Sequence, residues 1–336
     1  MKKLLILPFF LFFFSFFVFS WWKNVSSPRD ANDKTPRDFL VTRGQSLGQV
    51  AYNLEKQGFI KSRTAFKFYT QIAGAAGKIQ PGEYSLSPSS SLDKMMMALI
   101  SGPKELWVTY PEGLRREEIA AKTIKTLNMD QERAQAFWTE FILLTDGKEG
   151  YLFPETYLFA KDASAKTVVN KLTSIFETKV TEKMHEDAKS SPLSFTELVI
   201  LASVVERETL TDAERPTVAG ILLKRMDAGW PLQADATLQY MTGNKKCQPQ
   251  TTPKILDCSW WEIPTPDDRQ VRSPYNSYLN KGLPPIPIAN PSISSLKAVI
   301  YPEESPYWYY IHDTDGKVRY AKDGDEHQSN INKYLR

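Results

Sequence analysis

One stretch constrains the fold more than any other: Leu198-Val199-Ile200-Leu201-Ala202-Ser203-Val204-Val205, apolar or small at every position. Ser194-Phe195-Thr196-Glu197 stands before it as a capping box, the Ser hydroxyl and Glu carboxylate satisfying free end amides reciprocally. A helix apolar nearly all round has no solvent face, so it lies inside a domain. It leaves that interior through Glu206-Arg207-Glu208-Thr209.

With 336 residues the chain has room for two or three domains. Residues 39–103 read as a small α+β module. Its elements are a strand at Phe39–Thr42, a helix opened by Gly44-Gln45-Ser46 and running through Glu55, a helix at Arg63–Ile72, a turn and strand over 81–86, and a helix at Leu92–Ile100 stopped by Gly102-Pro103. Residues 104–336 read as a larger α+β domain. It starts with a strand from Glu105 to Tyr110 and a helix from Arg116 to Leu127. A second box, Thr211-Asp212-Ala213-Glu214, opens a helix that ends near Gly229. A long loop is expected over 242–272, a stiff proline-rich path over Leu283–Pro291, and two strands at Tyr307–Ile311 and Lys317–Tyr320. Separated strands among many short helices fit α+β better than repeated βαβ units.

The N-terminus carries a different signal. Leu4 to Trp22 is 19 residues without a charge, eight of them phenylalanine, behind Lys2 and Lys3. That length predicts a transmembrane helix over 1–22, with the lysines on the cytoplasmic side and Trp21-Trp22 at the far interface. No small-x-small cleavage site follows, which favours an uncleaved anchor over a signal peptide. A polar linker over 23–38 would follow, and the rest of the chain would lie beyond the inner membrane, in the periplasm. Cys247 and Cys258, with ten residues between them, could then close a small loop as a disulfide.

Lys and Arg total 42 against 39 Asp and Glu, and no basic stripe stands out, so a nucleic-acid partner is not expected. The chain lacks HExxH, P-loop and dinucleotide glycine patterns, so neither metal nor cofactor is expected. Gly44-Gln45-Ser46-Leu47-Gly48 spells a nucleophile elbow, but Ser46 is equally placed as a helix cap, and the module is small for a hydrolase sheet. Glu206 is the stronger candidate. Its carboxyl leaves a buried helix on the side of Ala202 and Ser203, small residues that leave room for a ligand, and partial burial suits a general acid. Glu208 points about 200° away around the helix axis, so the two do not act as a pair on one bond. Tyr275, Asn276 and Tyr278 are candidates to line a sugar cleft, and equally fit core aromatics beside a turn. His327 is a weaker ligand contact.

The ordered motifs Glu149-Gly150-Tyr151-Leu152-Phe153-Pro154-Glu155-Thr156-Tyr157, Leu201 to Glu208, Leu232-Gln233-Ala234-Asp235-Ala236-Thr237, Ser273-Pro274-Tyr275-Asn276-Ser277-Tyr278 and Gly282-Leu283-Pro284-Pro285 run across nearly the whole chain. Together they resemble the YceG-like endolytic murein transglycosylases. The resemblance implies a LysM-like module at 39–103. It also implies a lyase reaction on the β-1,4 bond between N-acetylmuramic acid and N-acetylglucosamine, with Glu206 catalytic. Gln233, Asp235, Thr237, Ser273, Tyr275, Asn276 and Tyr278 would line the cleft, with Asn290 and His327 as weaker members. Peptidoglycan is the implied partner, with wall synthases as associates and limitation of strand length as the role. The chain departs from the family pattern in a longer 242–272 segment and in Ile286 after the prolines. A non-catalytic wall-binding scaffold is the rival reading.

Overall fold

A computed structural model of the chain describes residues 6–42, 44–248 and 251–335. The chain divides into two compact units, one running to Trp107 and including Leu158–Lys161, the other comprising Val108–Tyr157 and Asp162–Arg336.

The first unit contains α1 (Ile6–Ser26), β1 (Arg37–Val41), α2 (Leu47–Lys56), α3 (Arg63–Ile72), β2 (Gly82–Leu86) and α4 (Leu92–Ile100). Strands β1 and β2 pair antiparallel with Phe39 opposite Tyr84, and β3 (Glu105–Thr109) and β4 (Thr156–Ala160) extend the sheet in the order β1-β2-β3-β4. Alternate residues of β1 and β2 turn inward, so Phe39, Val41, Tyr84 and Leu86 meet Leu54, Phe66, Met95 and Leu99 from the helices. Ser46 is a cap: its hydroxyl accepts the Gln49 N–H at 3.3 Å, and the Gln49 side chain accepts the Ser46 N–H at 2.7 Å.

The membrane anchor expected at 1–22 is not found. Among the described residues no helix is long and apolar enough to cross a membrane. Helix α1 gives its last turns to the module: Trp22 packs on Tyr69 with ring centroids 5.7 Å apart, Val25 joins the core, and Lys61 Nζ donates to Ser27 Oγ at 2.7 Å. The expected cytoplasmic flank, Lys2 and Lys3, lies outside the described residues. The single-pass inner-membrane placement expected from the sequence is therefore not supported. The α+β character stands, with no membrane-spanning helix among the described residues.

The second unit is built about the predicted buried helix. Its elements are α5 (Arg116–Thr126), α6 (Gln131–Leu144), α7 (Ala165–Lys179), α8 (Glu182–Ala188), α9 (Phe195–Glu208), α10 (Arg215–Asp227), α11 (Asp235–Cys247), α12 (Ile293–Ile300), β5 (Tyr309–His312), β6 (Val318–Ala321) and α13 (Gly324–Tyr334). The capping box forms at the start of α9, Ser194 Oγ accepting from Glu197 N and Glu197 Oε2 from Ser194 N at 2.7 Å. Leu198, Val199, Leu201, Ala202, Val204 and Val205 are fully buried beneath α10, α11 and α12. Each such valine or leucine contributes about 1.5–3 kcal/mol relative to exposure. The second box takes another form: Glu214 itself is the N-cap of α10, and its carboxylate turns back to the Leu210 and Thr211 amides. The expected 242–272 loop is shorter, because α11 continues to Cys247. Two 3-10 turns, Lys254–Asp257 and Pro266–Gln270, order much of the segment beyond that helix. Cys247 and Cys258 are joined as a disulfide.

Candidate active site

The last turn of α9 presents its two glutamates to different surroundings. Glu206 is buried and fully engaged. Its Oε1 accepts from Arg215 Nη2 at 2.8 Å, and its Oε2 accepts the Ser292 N–H and the Ser295 hydroxyl, each at 2.8 Å. Ser292 is the N-cap of α12, so the carboxylate also meets the positive end of that helix. The room expected beside Ala202 and Ser203 is filled. The Ser203 hydroxyl donates to Ile200 O at 2.6 Å and accepts the Ile288 N–H at 3.0 Å, bringing the proline-rich path against that side.

Glu208 instead borders a cavity of about 550 Å³, whose walls include Gln233, Asp235, Tyr278, His312 and His327. Its Oε1 accepts the Ala236 N–H and its Oε2 the Tyr310 hydroxyl, both at 3.0 Å. Burial holds this carboxyl above its ordinary range and the Asp235 charge adds to the effect, while the two hydrogen bonds and His312 act in the opposite sense. A carboxyl shifted upward keeps its proton further into the working range, as a general acid must.

The other cavity groups are held in place. Asp235 accepts the Tyr278 hydroxyl at 2.6 Å, and the Arg269 guanidinium lies 3.9 Å away, above the Tyr278 ring. Gln233 adopts a left-handed backbone, φ 52°, fixed by its N–H donating to Ser277 O at 3.0 Å. Such a conformation costs a non-glycine residue energy and persists where neighbours over-determine it. His327 stacks on Tyr309 with centroids 4.9 Å apart, and burial followed by the Arg225 charge lowers its pKa. Among the described residues no group of three or more His, Cys, Asp or Glu is placed to hold a metal ion.

The sequence profile of the YceG-like family matches residues 39–333. The chain belongs to that family. It is 28% identical to the endolytic murein transglycosylase of Bacillus subtilis, over 94% of this chain and 90% of that protein. It is 27% identical to the endolytic murein transglycosylase of Streptococcus pneumoniae, over 92% of this chain but 60% of that longer protein. The crystal structure of a yceG-like protein from Listeria monocytogenes superposes with a TM-score of 0.56 at 25% identity, covering 88% of this chain and 99% of that one.

Of the remaining residues that the YceG-like motifs indicated, none lines this cavity; they support it or lie behind it. Thr237 Oγ1 donates to Ala234 O and meets Ser277 Oγ at 2.8 Å, joining α11 to the loop that carries Tyr278. Asn276 is buried, its amide donating to Val271 O at 2.8 Å and Arg269 O at 3.1 Å, while its Oδ1 accepts the Tyr278 N–H. Ser273 Oγ accepts the Tyr275 N–H, and the Tyr275 ring packs on Tyr240 in the core. Asn290 is a bolt: its Oδ1 accepts the Gly150 and Leu152 amides, and its Nδ2 donates to Leu114 O and Glu149 Oε1. The cavity groups not foreseen include Arg225, Glu208, Tyr310 and His312. The last two sit two apart on β5, an alternation that places them on one face.

Proposed function

We propose that the chain is an endolytic murein transglycosylase whose acid/base is Glu208, with Glu206 positioning the helix end that carries it. One observation carries the assignment: Glu208 is the partly buried carboxyl, raised by desolvation, that borders the cavity shared by Gln233, Asp235, Tyr278 and His327. Membership of a family whose curated relatives bear that activity supports the substrate, peptidoglycan glycan strands. In the reaction, Glu208 protonates the glycosidic oxygen as the bond from the muramic C1 breaks and positive charge builds on the ring. The carboxylate then takes the proton of the muramic C6 hydroxyl, whose oxygen bonds to C1. The product ends in a 1,6-anhydro sugar, no water is consumed, and Glu208 regains its proton.

Asp235 supports a second reading. It is a half-exposed carboxylate in the same cavity, and ordinary glycosidases use a second carboxylate to direct water. Mass spectrometry of glycan strands incubated with the protein separates the two. Anhydro-muramic ends are expected; reducing ends would make the enzyme a hydrolase. Intact strands would leave a wall-binding scaffold. We further assign the 39–103 module to LysM-like contact with peptidoglycan, and the cleavage to limiting strand length beside wall synthases. Longer strands in cells lacking the protein are the expected result, and unchanged lengths would remove that role.

A further inference from the structure

Two elements supply the donors that fix Glu208: the first turn of α11 through the Ala236 N–H, and β5 through the Tyr310 hydroxyl. One donor goes to each oxygen, which sets the plane of the carboxylate. Each oxygen keeps a second lone-pair direction for a reacting group. We infer that Tyr310 is a positioning residue for the acid/base, its hydroxyl holding the Glu208 carboxylate in one orientation through both proton transfers. This rests on the assignment of Glu208 proposed above.

The neighbouring groups do not duplicate that role. From α11, Asp235 faces Glu208 as a like charge. The Tyr278 hydroxyl is given to Asp235. Arg225 of α10 donates to Trp308 O at 2.8 Å and Leu232 O at 2.6 Å. His312, next but one on β5, pairs through Nε2 with Glu214 at 2.9 Å. On its own helix, Arg207 lies over the Trp261 ring and Glu206 bonds to Arg215, Ser292 and Ser295. Tyr310 is thus the one side-chain donor to Glu208 among the described residues. Burial, then the Glu208 charge, pushes its own pKa well above the usual tyrosine value, so it stays a donor wherever the enzyme works. A donor of this kind binds the ionised carboxylate more strongly than the acid. It therefore offsets part of the burial penalty and lets one carboxyl act first as acid and then as base.

Tyr310→Phe keeps the ring and removes one oxygen, so it tests the hydroxyl alone. The expected result has three parts: an alkaline limb of kcat moved up by about half to one pH unit, a plateau kcat down roughly tenfold, and KM unchanged. Difference infrared spectra against Glu208→Gln follow the Glu208 carboxyl directly, without turnover, and should show the same upward displacement. A profile superposing on the parent, or a rise in KM with the limb unmoved, overturns the inference while leaving the function intact. Full activity in Glu208→Gln overturns both the inference and the assignment of Glu208 on which it rests, and identifies that assignment as the part that failed.

Discussion

The two sides of the last turn of α9 carry the same functional group in opposite settings. On the packed side, Glu206 meets three donors. On the other, Glu208 meets two donors, a like charge and a cavity. Burial contributes to the contrast, Glu206 being buried and Glu208 partly so, but does not make it alone. The difference lies in what replaces the water: a complete set of partners makes a carboxylate part of the framework, and an incomplete set beside free volume leaves it able to exchange a proton.

Glu208→Gln bears hardest on that contrast. Loss of the acid should lower kcat by about 10²–10⁴-fold in an assay of released fragments, with the thermal midpoint unchanged. If Glu206→Gln showed that loss instead, the two roles would be exchanged. Glu206→Ala should act on the framework. Losing this ion pair leaves the buried Arg215 guanidinium with Asp212 alone and costs about 1–3 kcal/mol in denaturant unfolding, while the folded fraction still cleaves. Glu149 extends the comparison to a carboxyl buried in the framework. Burial first, then the Glu117 charge, lift it to about 8, with Arg115 opposing. Its folded value lies above the unfolded one, so its contribution to stability is complete below about 4.5 and is lost as pH rises through about 8. Urea midpoints should fall between those values, and Glu149→Gln should flatten the slope. Asp235→Asn should be mildest, a few-fold in kcat, because Tyr278 keeps an acceptor. A loss matching that of Glu208→Gln would make Asp235 the partner carboxylate of a hydrolase.

Local chemistry was legible where it is self-contained. The box at Ser194, the cap at Ser46 and the bounds of α3 and α4 follow from residues within one turn of each other. The α9 core followed too, because only a buried helix can be apolar on every side. What failed depended on partners far along the chain. Ala202 and Ser203 looked like space for a ligand, yet Ile288 occupies it from 85 residues away. Glu208 gains its character from Ala236 and Tyr310, 28 and 102 residues on. Helix α13 carries no apolar stripe, so periodicity is silent, although Asp323 capping the Glu326 N–H was a readable start. Hydropathy at the N-terminus counted uncharged residues correctly and could not show that Trp22 and Val25 belong to a protein core.

The Asn290 bolt also bears on how the second unit is made. Its four bonds join positions 138, 140, 141 and 176 residues distant in sequence. Contacts so remote form late, because the intervening chain must be ordered before they close. A polypeptide emerging from the ribosome can assemble α5 to α11 and still hold the Gly150 and Leu152 amides open until residue 290 is free. Closure of this unit therefore waits for Asn290, and a chain ended before that residue would expose those unclosed seams to proteolysis.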